Sequence, residues 1–394
     1  MKKLLKPVLC IFLILSGMSL YAFDFGFIVD QNFALNGAGS SVQFDYQGIL
    51  VPRFSFLLGD SGKLYISAGA NFQNDPFTVV PELLRTEFSW RFSMGELCFG
   101  RIHYSDPLGY VANGLLDGVH FSLDTGAGSF SAGAWYTGLL YKKRTEITMT
   151  DDEQISFNNP IKYSDFIDTY FAPRRFVAAL GWEHPALKEV LRARVAVLGQ
   201  IDVSGADLHS QYLMAKFTLP FKNFIFDFDA CLEFIENSGD FGVGLAGELG
   251  AVWLLPSKME DRLRLLGRFS SGTFKDSAMK AFLPITTDYQ GSVFQEKLSG
   301  LSLIQIDYLA RFHKTFSAGI SSCYFIRSDL NTSAILGNEG WFLGNEFFAR
   351  LLWSPVSDLQ INFGGGIFLP QLGNAAPDTD VLWRVELSLV LSLF

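Results

Sequence analysis

Short segments in which apolar and polar residues alternate follow one another from residue 23 to the end of the chain. The last of them, Trp383 to Phe394, reads WRVELSLVLSLF, so that its apolar residues alternate with Arg384, Glu386 and Ser388. This period of two residues is typical of a strand with one face in an apolar environment and the other in a wet one. Beyond residue 22 no apolar run approaches the 18 or more residues of a membrane-spanning helix, although the mean hydropathy is +0.22.

The connections between these segments alternate in length. Gly, Pro, Asn and Asp supply the backbone angles of tight turns in the short connections, such as Gly59 to Gly62 and Pro220 to Asn223. Long connections fall between them, near residues 34–40, 73–81, 103–117, 139–173, 200–209, 234–241, 271–297, 327–342 and 369–380. An even number of strands, each of roughly 10 residues, with all short turns on one side, is the pattern of outer-membrane barrels. The sequence therefore predicts an all-β fold, a transmembrane antiparallel up-and-down β-barrel of about 18 strands, with about 16 as the main alternative.

The N-terminal segment has the pattern of a signal peptide. Lys2, Lys3 and Lys6 precede a short apolar core, Val8 to Leu15, which is the order expected of an exported protein. We assign residues 1–22 to this signal peptide and predict that residues 23–394 form a single barrel domain.

Composition and motifs argue against several classes of function. The net charge is -9 and no basic cluster occurs, which argues against a nucleic-acid partner. Cys98, Cys231 and Cys323 are widely spaced and form neither a disulfide framework nor a metal motif. The five histidines are scattered, and no nucleophile motif is present. We therefore predict no catalytic residue, no metal site and no cofactor, and we do not expect an enzyme.

Charged residues share one face of their strands. Within residues 223–234, Asp227, Asp229 and Glu233 alternate with phenylalanines and other apolar residues. A basic residue facing lipid at mid-depth costs about 2 to 4 kcal/mol and an acidic residue somewhat less, so these side chains should face the barrel interior. The same reasoning yields the full set of pore-lining candidates: Arg192, Arg194, Lys216, Asp227, Asp229, Glu233, Glu248, Arg262, Arg264, Arg268, Asp307, Arg311, Glu346 and Arg350.

Two interpretations of this mixed-sign wall remain open. The charges could form ladders of salt bridges that brace a largely closed wall. They could instead line an aqueous lumen and create a transverse field that sorts solutes by charge. About 18 strands leave room for a channel, whereas about 8 would be filled by side chains, which favours the second interpretation.

The two longest connections, near 139–173 and 271–297, are predicted to be extracellular, and the first is the candidate constriction loop. It carries Lys142, Lys143 and Arg144 at one end. Its acidic candidates lie further on: Asp151, Asp152, Glu153, Asp165 and Asp168. Folded inward, the loop would present these acids opposite the arginine-bearing wall; otherwise it is a surface loop with solvated charges. The second connection has the same two options.

The signal segment, the alternating connections and the amphipathic last strand ending in Phe394 together resemble the Gram-negative-type outer-membrane porins. This resemblance implies export through the inner membrane, a location in outer-membrane lipid, and insertion by the barrel-assembly machinery with Phe394 as assembly signal. It also implies diffusion or facilitated uptake of small solutes through a charged aqueous lumen. The alternatives are a surface-exposed adhesin or structural barrel with a closed lumen and, less favoured, a fatty-acid type transporter. Neither the solute nor the oligomeric state follows from it.

Overall fold

The computed structural model describes residues 20–394 except 75–76, 146, 188–189, 206, 238, 275–276, 330–339 and 394. The strands among these residues are β1 (Leu20–Ala38), β2 (Ser41–Leu58), β3 (Gly62–Asn74), β4 (Phe77–Phe92), β5 (Gly95–Ser105), β6 (Asn113–Thr125), β7 (Gly128–Tyr136), β8 (Arg175–Leu187), β9 (Leu191–Asp202), β10 (Leu208–Phe221), β11 (Phe224–Asn237), β12 (Asp240–Leu254), β13 (Arg262–Ser270), β14 (Tyr289–Gln290), β15 (Glu296–Lys297), β16 (Leu301–His313), β17 (Phe316–Arg327), β18 (Phe342–Val356), β19 (Leu359–Leu369) and β20 (Leu382–Leu393). The short helices are Asp151–Asn158, Tyr163–Asp165, Phe166–Tyr170 and Pro370–Leu372.

All strands except β14 and β15 belong to one 18-stranded sheet in which chain neighbours pair antiparallel. The first and last strands also pair, from Phe27 opposite Leu393 to Ala38 opposite Leu382, and this pairing closes the barrel. Closure leaves neither the first nor the last strand with a free edge. The predicted fold class is confirmed, with 18 strands rather than 16. The pair β14 and β15 is a small hairpin within the connection between β13 and β16.

The alternation of residues along each strand separates an apolar outer wall from a charged inner one. On β11, Phe226 and Phe228 are 42% and 47% exposed on the outer wall, whereas Asp229 and Glu233 are 2% and 0% exposed. Asp229 pairs with Lys216 of β10 inside the barrel. These charged groups thus face the interior, as predicted from the free energy that a charge facing lipid would cost.

Several strands extend well beyond 10 residues, the longest being β1 with 19 and β2 with 18. The long connections predicted near 34–40 and 234–241 are consequently mostly strand, and only residues 39–40 and 238–239 remain between the paired strands. Backbone pairing continues where both faces become polar, because the ladder of hydrogen bonds does not depend on side-chain alternation. Strict alternation of short and long connections is therefore not observed.

Most of the predicted signal peptide precedes the first described residue. β1 begins at Leu20, within the last three residues of the predicted signal peptide, and residues 1–19 are not among the described residues. In the described part of the chain no helix has the length and apolar character needed to cross a bilayer.

Candidate functional site

Three connections on the same rim fold into the barrel and fill much of one side of its interior. The first inner loop is residues 106–112, the second is residues 137–174 and the third is residues 271–300. Their buried apolar residues form one core with the inner wall, comprising among others Leu108, Val111, Leu140, Ile147, Ala172, Phe282 and Ile285 from the loops and Ala196, Leu198, Met214, Cys231 and Ala246 from the wall. The interior is therefore partly a packed apolar core.

The three loops meet at Ile285 of the third inner loop. The backbone N–H groups of Ile285 and Thr286 donate to the carbonyl oxygen of Val111 in the first inner loop, at 2.8 and 3.1 Å. The N–H of Thr148 in the second inner loop donates to the carbonyl oxygen of Ile285 at 2.9 Å. Buried backbone groups are satisfied here by partners from other loops, so each loop depends on the others for its position.

Asp106 organises the first inner loop. Its buried carboxylate accepts hydrogen bonds from the backbone N–H groups of Leu108, Gly109, Val111 and Ala112 at 2.7 to 2.9 Å. Burial raises the pKa of Asp106, and these four hydrogen bonds oppose that shift by stabilising the ionised form. The sequence predicted a connection near 103–117, and its Asp-Pro-Leu-Gly run is a turn signal, but sequence reasoning did not predict that the connection folds inward.

The second inner loop folds inward and turns its basic end toward the wall of the barrel. Nε of Arg144 lies 2.8 Å from the Glu82 carboxylate on β4. Arg101 on β5 forms a bidentate pair with Asp117 at 2.8 Å. The same guanidinium donates to the carbonyl oxygen of Leu139 at 2.9 Å, which attaches the start of the loop to the wall.

The described acidic candidates of this loop form no ion pair with the arginines predicted to face them. The Glu153 carboxylate lies 2.5 Å from the fully buried Arg175 of β8, which is also 3.9 Å from Asp202. Asp165 and Asp168 are exposed. The side chains of Asp151 and Asp152 lie outside the described residues. The inward folding was one of two options for this loop, but the distribution of its charges depends on tertiary contacts that spacing does not encode.

Five of the predicted pore-lining residues form a cluster of ion pairs on β10 to β13. Nζ of Lys216 is 3.2 Å from Asp229, and Glu248 is 3.2 Å from Arg264 and 2.6 Å from Arg268. The Arg268 guanidinium also lies 5.0 Å from the ring centroid of Tyr110 in the first inner loop. These contacts match the salt-bridge interpretation, and they leave Asp229 and Glu248 almost fully buried.

The remaining wall candidates differ in exposure. Arg194 pairs with Glu183 at 2.9 Å, Asp227 accepts from Thr218 at 2.6 Å, and Asp307 accepts from Gln305 at 2.8 Å. Arg192, Arg262, Arg311 and Arg350 are exposed, and Arg311 pairs with Glu260 in the turn before β13 at 3.0 Å.

Glu233 and Glu346 differ from the expectation for pore-lining residues. Both face the interior but are buried under the third inner loop, whose backbone N–H groups they bind. Alternation predicts which way a side chain points, not whether a loop covers it.

An open cavity remains between the first inner loop and the short-turn end of the barrel. It measures about 630 Å³ and is lined by Lys63, Arg85, Glu87, Arg91, Glu96, His103, His120 and Glu183, together with Cys98 and several serines. Arg85 pairs with Glu87, and Arg91 lies 3.3 Å from Glu96. Lys63, Glu96 and Glu183 were not among the candidates, although their inward parity on alternating strands could have identified them.

Comparison with known proteins gives a likeness in fold. No family model matches the sequence, and no curated protein matches it. The solved structure of the outer membrane protein OprD from Pseudomonas aeruginosa superimposes with a TM-score of 0.63 at 12% identity over 95% of each chain. OccK2 (OpdF) from the same organism, in complex with glucuronate, gives 0.62 at 10% identity over 95% of this chain and 97% of that one. OccK9 (OpdG), also from Pseudomonas aeruginosa, gives 0.63 at 11% identity, over 95% and 99%. The chain therefore has the fold of these barrels.

Proposed function

We propose that this protein is an outer-membrane channel through which small hydrophilic solutes diffuse or are taken up. The observation that carries the proposal is a closed 18-stranded barrel whose apolar outer wall surrounds an interior containing ion pairs and an open cavity of about 630 Å³. Charged groups in such numbers need water or counter-charges around them, and both are compatible with an aqueous path. The likeness in fold to OprD and the OccK barrels supports this function.

The location and assembly of the protein belong to the same proposal. Residues 1–22 would direct export through the inner membrane, and the barrel-assembly machinery would insert the mature chain into outer-membrane lipid. Phe394, the proposed assembly signal, lies outside the described residues. The inner loops would then narrow the lumen, so that the bore is set by loops rather than by strand number.

The solute would be a small polar molecule. A barrel of similar fold, OccK2, is seen with glucuronate, which sets the approximate size that we expect. Paired carboxylates and guanidinium groups in the cavity, such as Arg91 with Glu96, offer both donors and acceptors of hydrogen bonds.

Conductance of the refolded mature chain in planar lipid bilayers tests the proposal. We expect discrete steps in conductance, and we expect a charged methanethiosulfonate to reduce them by attaching to Cys98, which lines the open cavity. The Cys98→Ser variant is the matched control and should conduct normally without being blocked. Absence of conductance from a barrel with intact circular dichroism would contradict the channel function.

A closed adhesin or structural barrel is the second candidate. The buried apolar core formed by the inner loops with the wall favours it, because such packing excludes water from part of the lumen. Bilayer recordings separate the two candidates, since a closed barrel would insert without conducting.

A further inference from the structure

One segment of the third inner loop, residues 282–298, runs along the interior from β11 to β18. In the sheet these strands are separated by β12, β13, β16 and β17, so the segment passes over five of the 18 strand-to-strand steps. We call it the crossing segment. Near its start, at Ile285, the three inner loops meet. Its position therefore bears directly on the bore of the channel.

At β11 the crossing segment is held through the backbone of one residue, Leu283. The N–H of Leu283 donates to Oε2 of Glu233 at 2.8 Å. The hydroxyl of Tyr212 on β10 donates to the carbonyl oxygen of Leu283 at 2.5 Å. Glu233 is fully buried, and its second oxygen, Oε1, has no hydrogen-bond partner among the residues that the structure describes. This attachment thus depends on a single carboxylate oxygen and one hydroxyl.

At β18 the crossing segment closes around a second carboxylate. Glu346 accepts hydrogen bonds from Ser292 N–H at 2.7 Å through Oε1, and from Val293 and Phe294 N–H at 2.9 and 2.8 Å through Oε2. Gly291 precedes these donors with a φ of 81°, and a Cβ there would lie 2.8 Å from Oε2 of Glu346. Successive N–H groups that converge on one anion form a nest, and here the anion is supplied by the wall.

These two wall carboxylates depend on the crossing segment for compensation. Within the described part of the chain, neither has a lysine, arginine or histidine nitrogen within ion-pair distance. A buried carboxylate is unfavourable unless hydrogen bonds replace its hydration, and backbone N–H groups at these distances do so.

We propose that Glu233 and Glu346 are positioning residues that clamp the two ends of the crossing segment against the wall, and that losing either clamp frees the corresponding end. That this release widens a conducting lumen rests on the function proposed above. The clamps themselves can be tested without any conductance.

Two native thiols report on the two clamps. Cys231 is two residues from Glu233 on β11, and Cys323 is opposite Glu346 in the pairing of β17 with β18. Both are 3% exposed in the cores that the third inner loop helps to form, Cys231 with Phe282 and Ile285 and Cys323 with Phe294. Cys98 lines the open cavity and serves as an internal reference.

The experiment compares rates of thiol modification by a small charged methanethiosulfonate, measured by mass spectrometry on the refolded barrel. In Glu346→Leu, which removes every acceptor of that clamp, Cys323 should be modified at least about tenfold faster, as expected when charge-assisted hydrogen bonds are lost. In Glu233→Leu, Cys231 should respond in the same way. Cys98 should keep its wild-type rate in both variants.

The conservative Glu-to-Gln variants test whether the rate of thiol modification follows the number of acceptor oxygens that are lost. Glu346→Gln retains one oxygen and so should give an intermediate rate at Cys323, whereas Glu233→Gln retains the only oxygen that is used and should stay near wild type. The matched control is Glu386→Leu, which removes an equal charge from an inward residue that contacts Arg384 of its own strand. Barrel folding is verified by circular dichroism, and the Gln variants remain informative if a Leu variant does not fold.

The outcomes separate the clamps from the channel. Unchanged protection of Cys323 in folded Glu346→Leu or Glu346→Gln, or equal acceleration in Glu386→Leu, would overturn the clamp proposal. Accelerated modification with no conductance in any variant would support the clamps and reject the channel. Larger conductance together with accelerated modification is the result that we expect.

Discussion

Replacing Asp106 by Asn should release the first inner loop while leaving the barrel intact. Oδ1 of Asp106 accepts from Leu108 and Gly109, and Oδ2 accepts from Val111 and Ala112. An amide has only one oxygen, so Asn keeps one of these two pairs and turns an NH2 group toward the other.

The expected magnitude follows from those contacts. Two hydrogen bonds to a charged group contribute roughly 1.5 to 3 kcal/mol each, so their loss amounts to about 3 to 6 kcal/mol before compensation. Burial opposes ionisation of Asp106, as the upward direction of its pKa indicates, and the neutral amide is therefore cheaper to bury. We expect a net loss of about 2 to 4 kcal/mol in the local stability of the loop.

Hydrogen exchange followed by mass spectrometry measures this loss directly. A decrease of about 2 to 4 kcal/mol corresponds to amide exchange roughly 30 to 700 times faster at residues 108–112. Exchange should also accelerate at Ile285 and Thr286, because their N–H groups bind the carbonyl oxygen of Val111. Asp124→Asn is the matched control, since Asp124 is on the adjacent β6 and binds the Ser129 hydroxyl rather than an inner loop. Equal exchange in the two variants would refute the role assigned to Asp106.

Three further predictions concern the wall and the other loops. Neutralising four inward arginines together should shift the reversal potential toward cation selectivity, because acids such as Glu183 and Glu248 lose cationic partners. These arginines are Arg192, Arg194, Arg262 and Arg264. An unchanged reversal potential would show that they do not line the conducting path. Arg175→Met removes the cation beside the Glu153 and Asp202 carboxylates and should weaken the second inner loop by about 3 to 5 kcal/mol. Proteinase K should then cleave that loop faster, whereas the variant of exposed Arg174, Arg174→Met, should be cleaved at the wild-type rate. Gly291→Ala introduces strain at a positive φ and a close contact with Glu346, so Cys323 should become more reactive, and wild-type reactivity would contradict the tight fit.

Local alternation was sufficient to predict the barrel and the direction of its side chains. On β11, Phe228 and Asp229 face opposite sides of the wall, as expected, because a strand has only two faces and charge is costly in lipid. The number of strands followed from counting such segments and was confirmed by the pairing of the first strand with the last.

Alternation failed where its physical basis disappears. Beyond the membrane both faces of a strand are polar, so the ends of β1 and β11 were assigned to loops. The inward folding of residues 106–112 was missed because so short a connection carries few signals of its own. Its buried Tyr110 and Val111 become informative only beside Ile285, which is far away in sequence.

The sequence by itself determined the class of this protein, a closed antiparallel barrel with lipid outside and charge inside, because these features depend on neighbouring residues and on the solvent of each face. The tertiary structure alone decided which partner each inward charge has. Glu233, Glu346 and Asp229 have the same inward parity, yet two of them bind the backbone of a loop and the third pairs with Lys216. That difference arises from contacts between distant parts of the chain, and no local pattern contains it.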